Sequence, residues 1–221
     1  GQMEADSIAL ITVFKDSLFL SKNGFTRDNV LSMFIPNTYE IYWNTSAEDF
    51  RDKMLDESKR FWTESRLTKV KELGLSKEQV VSLAAIVQKE TAKVDERATI
   101  AGVYVNRIRR GMPLKAYPTV INAKKMVEND FEQEIKRVLY RDLNIDSPYN
   151  TYKYAGIPPG PIAMPDISSI DAVLNFENHN YLFFVADVNR FGYHKFATNL
   201  SQHNRNRREY IQWISKQRVN R

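Results

Sequence analysis

The stretch SKEQVVSLAAIVQKET, Ser76 to Thr91, carries the clearest local signal in the chain. Ser76 and Gln79 stand three apart, the spacing of a capping box in which each side chain satisfies a backbone N–H at a helix start. Val80, Leu83, Ala84 and Val87 then recur at i, i+3, i+4 and i+7, so they form one apolar face. Gly74, just upstream, suits the C′ position that closes a preceding helix. The apolar face needs a core to pack on, and it ends at Glu90. Glu90 lies three residues after Val87 and so projects along the flank of that face. A carboxyl against apolar neighbours is costly to ionise, which raises its pKa. A glutamate of that kind is the usual general acid for breaking a glycosidic bond near neutral pH. From helix position alone, a side chain turned to solvent or paired with Lys93 is the more ordinary outcome.

Outward toward the N-terminus, residues 1–75 read as mostly helical. The exception is MFIPNTYEIYW, residues 33–43, whose aromatics and Pro36 predict an extended loop or strand. Ser46 is the expected N-cap of a long charged amphipathic segment over 47–73. Toward the C-terminus a helix is predicted over 95–110, ended by Gly111 and Pro113. Residues 114–165 are loop-rich, with a charged helical stretch over 124–142. A helix follows over 168–174. Residues 181–186, YLFFVA, are a strand signal, and 193–197 can return as its hairpin partner across the turn at 189–192. A last helix begins near Ser201. The sum is an α+β fold: a helix-rich catalytic domain with a small antiparallel sheet, using a helix-borne glutamate as lysozyme does. The division expected is a helical or connecting region over 1–75 and a main domain over 76–221.

Composition narrows the classes. The 221 residues are 43% hydrophobic and 12% aromatic, enough for a sizeable core, so wholesale disorder is excluded. There is no cysteine, which excludes disulfides, zinc–thiolate sites and cysteine nucleophiles. The three histidines, His179, His194 and His203, argue against a multi-histidine metal site, and no metal or cofactor is expected. No apolar run approaches the ~20 residues that span a bilayer. The net charge of +5 lies wholly in residues 201–221, where Arg205, Arg207, Arg208, Lys216, Arg218 and Arg221 face only Glu209. Such a tail can attract nucleic acid, anionic lipid or an acidic polymer, but a terminal helix with a solvated basic face is the favoured reading. No zinc-finger, RNP or P-loop pattern accompanies it, so no nucleic-acid partner is expected.

Other groups are less specific. Asn106 and Arg107 could hold a carboxylate or an acetamido group, or serve a helix-surface ion pair. Tyr149, Asn150 and Tyr152 mix flat faces with hydrogen-bonding groups, as sugar-binding loops do, and equally could order the loop. Pro158, Pro159 and Gly160 could stiffen a groove wall or turn the chain. His194 and His203 fit a polar site or a structural role.

Several stretches occur together and in one order: LAAIVQKET at 83–91, VNRI at 105–108 with Gly111-Met112, PTV at 118–120, SPYNTY at 147–152, GIPPGPI at 156–162, YLFFVA at 181–186, and later His194, Phe196, His203 and Asn204. FIPNTY at 34–39 precedes them. Together they closely resemble the endolytic murein transglycosylases of the YceG-like family, from about residue 16 to about residue 213. The resemblance implies a bacterial enzyme that cuts peptidoglycan glycan strands within the chain. It places the catalytic glutamate on Glu90, in the Glu-Thr pair. Family members often carry a second acid two residues earlier, here Gln88, and an aspartate before Pro-Thr-Val, here Tyr117. It implies a substrate-binding set of Gln88, Asn106, Arg107, Thr119, Tyr149, Asn150, Tyr152, Pro159, Gly160, Ile162, His194 and Phe196. It also implies an N-terminal membrane helix and a LysM-like domain, of which at most the end would lie in residues 1–30. The chain then reads as a catalytic fragment of a membrane-anchored protein on the outer face of the cytoplasmic membrane, with penicillin-binding proteins as possible partners.

The chemistry that the resemblance implies needs one carboxyl. Glu90 would protonate the glycosidic oxygen between N-acetylmuramic acid and N-acetylglucosamine, then act as base toward the muramyl C6 hydroxyl, which closes a 1,6-anhydro ring. Three rivals stand beside it: a hydrolase pairing Glu90 with a distant acid such as Asp146, a non-catalytic peptidoglycan-binding module, and a nucleic-acid-binding protein suggested by the basic tail alone.

Overall fold

A computed structural model describes residues 4–135 and 137–219. Two short helices come first, α1 (Ser7–Phe14) and α2 (Ser17–Asn23), each opened by an aspartate, Asp6 and Asp16, whose carboxylate accepts a backbone N–H of the first turn. A 3-10 turn over Val30–Met33 leads into a loop that carries the aromatic stretch 34–43 without strand pairing. Helix α3 (Ala47–Phe61) is capped by Ser46, as its sequence predicts. The long segment expected over 47–73 is two helices, because Thr63 caps a fresh one, α4 (Glu64–Leu73), and Trp62 between them is buried in the core. Gly74 ends α4 with a left-handed φ of 69°.

Helix α5 (Lys77–Glu90) has the predicted capping box between Ser76 and Gln79. Its burial exceeds one face: every residue from Val80 to Val87 is buried, because α4, α6 (Arg97–Arg109), α7 (Tyr117–Glu128) and α8 (Ile167–Leu174) surround it. The main core also takes Ile35, Trp62 and Val70 from the first 75 residues, so packing runs across the boundary expected at 75/76. A second cluster, Phe19, Leu20, Val30, Met33 and Met54, holds the N-terminal elements together. Each fully buried side chain of this size contributes about 1.5–3 kcal/mol.

The helix expected over 124–142 is displaced. Helix α7 starts earlier, with Pro118 in its first turn, and stops at Asn129, which takes a left-handed φ of 50°. Beyond it, residues 140–144 form only a 3-10 turn, whose Asp142 accepts the Leu139 N–H. Lys136, inside the expected helix, lies outside the described residues.

The hairpin joins β1 (Phe183–Ala186) to β2 (His194–Ala197), antiparallel, with Phe184 opposite Phe196 and Ala186 opposite His194. Side chains alternate across a strand. Phe184 and Phe196 therefore share a face with His194, and both pack on the main core. The other face meets the last helix, α9 (Leu200–Val219): Phe183 stacks on His203 at 5.2 Å, and Lys195 pairs with Glu209 at 2.8 Å. Arg205, Arg207, Arg208 and Lys216 are exposed on α9, whereas the Arg218 side chain and Arg221 lie outside the described set.

Candidate active site

Glu90 is the last residue of α5, where the helix leaves the core and the side chain is half-buried. The Tyr104 hydroxyl, from α6, donates to Glu90 Oε1 at 2.8 Å. Tyr104 is itself buried, and its ring meets Phe184 edge-on at 6.0 Å. Burial of the Glu90 carboxyl pushes its pKa up to about 6, against the lowering effects of the Tyr104 hydrogen bond and the charges of His194 and Arg107. The solvent-facing or Lys93-paired alternative is thus replaced by an enclosed carboxyl with a tyrosine donor.

Four elements supply the surroundings. Arg107, on α6, is buried; its Nε donates to Leu182 O at 2.7 Å and a terminal nitrogen donates to Leu114 O at 2.5 Å. Those bonds anchor α6 to the strand entry and hold the cation near Glu90. His194 comes from β2. Tyr152 comes from the loop over 147–154; burial holds its hydroxyl well above the usual range, and both Glu90 and Arg107 act on it electrostatically. The Tyr152 ring lies 5.4 Å from that of Tyr117. Phe196 stacks on Tyr181 at 5.4 Å and closes the core beneath His194.

All of the rest of the sequence-derived set except Pro159 is committed to the protein itself. Gln88 Oε1 accepts the Asp166 N–H at 2.6 Å and the Ser169 hydroxyl at 3.2 Å, tying α5 to the start of α8. Asn106 donates to the carbonyls of His179 and Tyr181 at 2.7 and 3.1 Å. Thr119 is fully buried against Ala116 O and the Thr151 hydroxyl. Asn150 is fully buried and donates to Leu143 O and Ile145 O, while its own oxygen accepts the Tyr152 N–H. Tyr149 turns its hydroxyl to Asp28 O, and Gly160 approaches the same carbonyl so closely that a Cβ would overlap it. Pro159 is exposed, and Ile162 packs on the main core. The structure brings Arg107, Tyr152 and His194 to Glu90; Asn150 and Thr119 build the loop that holds Tyr152. Asp146, the rival second acid, is exposed and held by Lys153 at 2.9 Å and Tyr154 at 2.5 Å, which lower its pKa.

Two residues escaped the sequence reading. Tyr104 sits in an apolar helical run, where a buried tyrosine hydroxyl calls for a partner, and that was its one local sign. Glu96 is 6% exposed and bonds to His194, 98 positions away, a contact with no local signature. Among the described residues no cluster of three or more His, Asp or Glu side chains is placed to hold a metal ion.

The α+β fold thus delivers a tyrosine-held carboxyl from the end of its central helix, an arrangement able to give and take a proton. Residues 4–209 match the YceG-like family, and the chain belongs to that family. It is 33% identical to a protein named endolytic murein transglycosylase from Streptococcus pneumoniae serotype 2 (strain D39 / NCTC 7466), over 94% of this chain and 37% of that one. It is 36% identical to a protein of the same name from Bacillus subtilis (strain 168), over 76% of this chain and 44% of that one. A crystal structure of a yceG-like protein from Listeria monocytogenes shares the fold with a TM-score of 0.72 and 26% identity, covering 90% of this chain and 67% of that chain. The chain spans about two fifths of the length of the curated relatives it matches.

Proposed function

We propose that this chain carries the cleaving part of an endolytic lytic transglycosylase acting on peptidoglycan, with Glu90 as the single acid and base. The observation that carries the reading is the enclosed Glu90 carboxyl, titrating at about 6 and held by Tyr104 at 2.8 Å. A carboxyl of that pKa keeps a proton to give near neutral pH. Glu90 passes its proton to the glycosidic oxygen between N-acetylmuramic acid and N-acetylglucosamine, and the bond from the muramyl C1 to that oxygen breaks. The Glu90 anion that results is met by the Tyr104 O–H and by the charge of Arg107, two of the interactions that lower its pKa. The anion then takes the proton of the muramyl C6 hydroxyl as that oxygen bonds to C1, which closes the 1,6-anhydro ring and restores the acid. No water is consumed, and the intramolecular nucleophile makes a second protein carboxylate unnecessary.

Peptidoglycan as substrate puts the activity in the bacterial cell envelope, on the outer face of the cytoplasmic membrane, with cell-wall synthesis enzymes such as penicillin-binding proteins as the natural neighbours. No helix among the described residues is long and apolar enough to cross a membrane, so an anchor would lie outside them. Mass spectrometry of the products from purified glycan strands, cut in ¹⁸O-labelled water, tests the reaction. Unlabelled anhydro-muramyl ends are expected. Label at the muramyl C1 would show a hydrolase instead, and uncut strands that stay bound would show a binding module.

A further inference from the structure

Thr91, next to Glu90, is buried, and its hydroxyl donates to Glu96 Oε2 at 3.3 Å. Glu96 closes the 3-10 turn Val94–Glu96 that leads into α6. A carboxylate at 6% exposure is costly unless donors meet its oxygens. Here the His194 backbone N–H meets Oε1 at 2.8 Å, and the His194 Nδ1 meets Oε2 at 2.7 Å. One carboxylate thus grips both the backbone and the ring of a residue on β2, which fixes the strand and the ring rotation together.

An ionised carboxylate only accepts, so Nδ1 is the ring nitrogen that carries the proton. In the neutral ring Nε2 is then an acceptor, and it has no hydrogen-bond partner among the described residues. Phe184 borders the ring edge-on at 5.2 Å. The groups acting on Glu90 are Tyr104 and Arg107 from α6 and His194 from β2, with Tyr152 from its loop. Around His194 stand Glu96, and beyond it the Tyr193–Asp95 pair at 3.0 Å. His194 is therefore a group near enough to act on Glu90, and its orientation is set by the Glu96 carboxylate.

We propose that Glu96 is a positioning residue of the glycan site: it holds His194 as the Nδ1–H tautomer and so presents Nε2 to a hydroxyl or amide hydrogen of the sugar bound at Glu90. The inference rests on the reading of Glu90 as the acid. Its test combines a spectroscopic and a kinetic readout on the full chain. With only three histidines, ¹⁵N NMR assigns the ring of each. In the wild type at mildly alkaline pH, His194 should show a protonated Nδ1 and a bare Nε2. Glu96→Gln should mix the tautomers. Glu96→Gln and His194→Gln should each lower kcat/KM on glycan strands about tenfold, the worth of one hydrogen bond. The double variant should be no worse than the weaker single variant, because the two act as one unit.

A wild-type His194 with a bare Nδ1 overturns the inference. So do single variants that cleave at wild-type rates, even if their melting temperature falls. Should Glu96→Gln fail to fold, the wild-type tautomer and His194→Gln still decide. Glu90→Gln separates the two readings. If it stays active, the acid lies elsewhere and the function reading fails. If it is dead while Glu96→Gln and His194→Gln are unimpaired, only the positioning role fails.

Discussion

Tyr104 and Glu90 sit on successive helices, 14 positions apart, and are joined by a 2.8 Å hydrogen bond in which the phenol donates to the carboxylate oxygen Oε1. The bond favours the ionised form of Glu90 and works against the burial that favours the neutral one. Tyr104→Phe removes the donor and keeps the ring against Phe184. The Glu90 pKa then rises further. A general acid loses activity as pH climbs through its pKa, so the basic limb of the pH–rate profile should move upward. The anion formed after proton delivery loses a charge-assisted bond of about 1.5–3 kcal/mol, so kcat should fall roughly 10–100-fold. A pH series of kcat on glycan strands reads both effects; an unmoved limb would mean that the bond is dispensable.

Glu90 also ties stability to pH. Its pKa is about 6 in the fold against an ordinary 4.5. The folded state therefore binds the proton more tightly than the unfolded chain. The stability this gives is fully present below about 4.5 and is lost as pH rises through 6, by roughly 2 kcal/mol in all. Glu90→Gln carries no such charge. Denaturant unfolding at pH 4.5 and 7.5 should show the wild type losing ground to the variant by about that amount, while the variant's turnover drops by about 10²–10⁴-fold. Equal pH dependence in the two proteins would mean that the Glu90 carboxyl is solvated.

Asn150 and Tyr152 should separate in their effects although both stand in one short motif. Asn150→Ala strips two partly buried carbonyls, Leu143 O and Ile145 O, of their donor. Each unmet group costs about 1–3 kcal/mol, so the melting temperature should fall markedly. Tyr152→Phe removes a hydroxyl that bonds to Tyr117 and acts on Glu90, and should lower the melting temperature far less than Asn150→Ala while altering KM. A Tyr152→Phe variant with wild-type kinetics would take its hydroxyl out of the site.

Where the signal was local, the sequence was sufficient. The capping box at Ser76, the glycine stop at Gly74 and the β1–β2 hairpin each rest on residues within a few positions of one another, and all three stand as read. The segment 124–142 was misplaced because its charged residues offer no apolar period, while the features that fix the helix, Pro118 at its entry and left-handed Asn129 at its exit, flank the charges. Asn106, Thr119 and Asn150 suit a sugar or a buried carbonyl equally well by residue type. Only their burial and distant partners reveal which need they meet. Glu96 leaves no local signature, since its grip on His194 joins positions 98 apart.

The basic helix gives the last prediction. On its N-terminal half α9 is bound to the hairpin, through the His203–Phe183 stack and the Lys195–Glu209 pair. That half should be needed for the fold around His194. Further along, Lys216 is exposed, as are Ile211 and Trp213 at 45% and 39%. Basic charge beside exposed apolar side chains suits an anionic envelope surface, whether lipid head groups or acidic stem peptides. Attraction between exposed charges is screened beyond ~8 Å at physiological ionic strength. Deleting residues 216–221 should therefore weaken binding to sacculi or to anionic vesicles at low salt, by less as salt rises, and should spare turnover on short soluble glycans. Cosedimentation across a salt series, run beside the glycan assay, reads the two separately. Equal loss on short glycans would mean that the end of α9 supports the site itself, acting through β1 and β2 on His194.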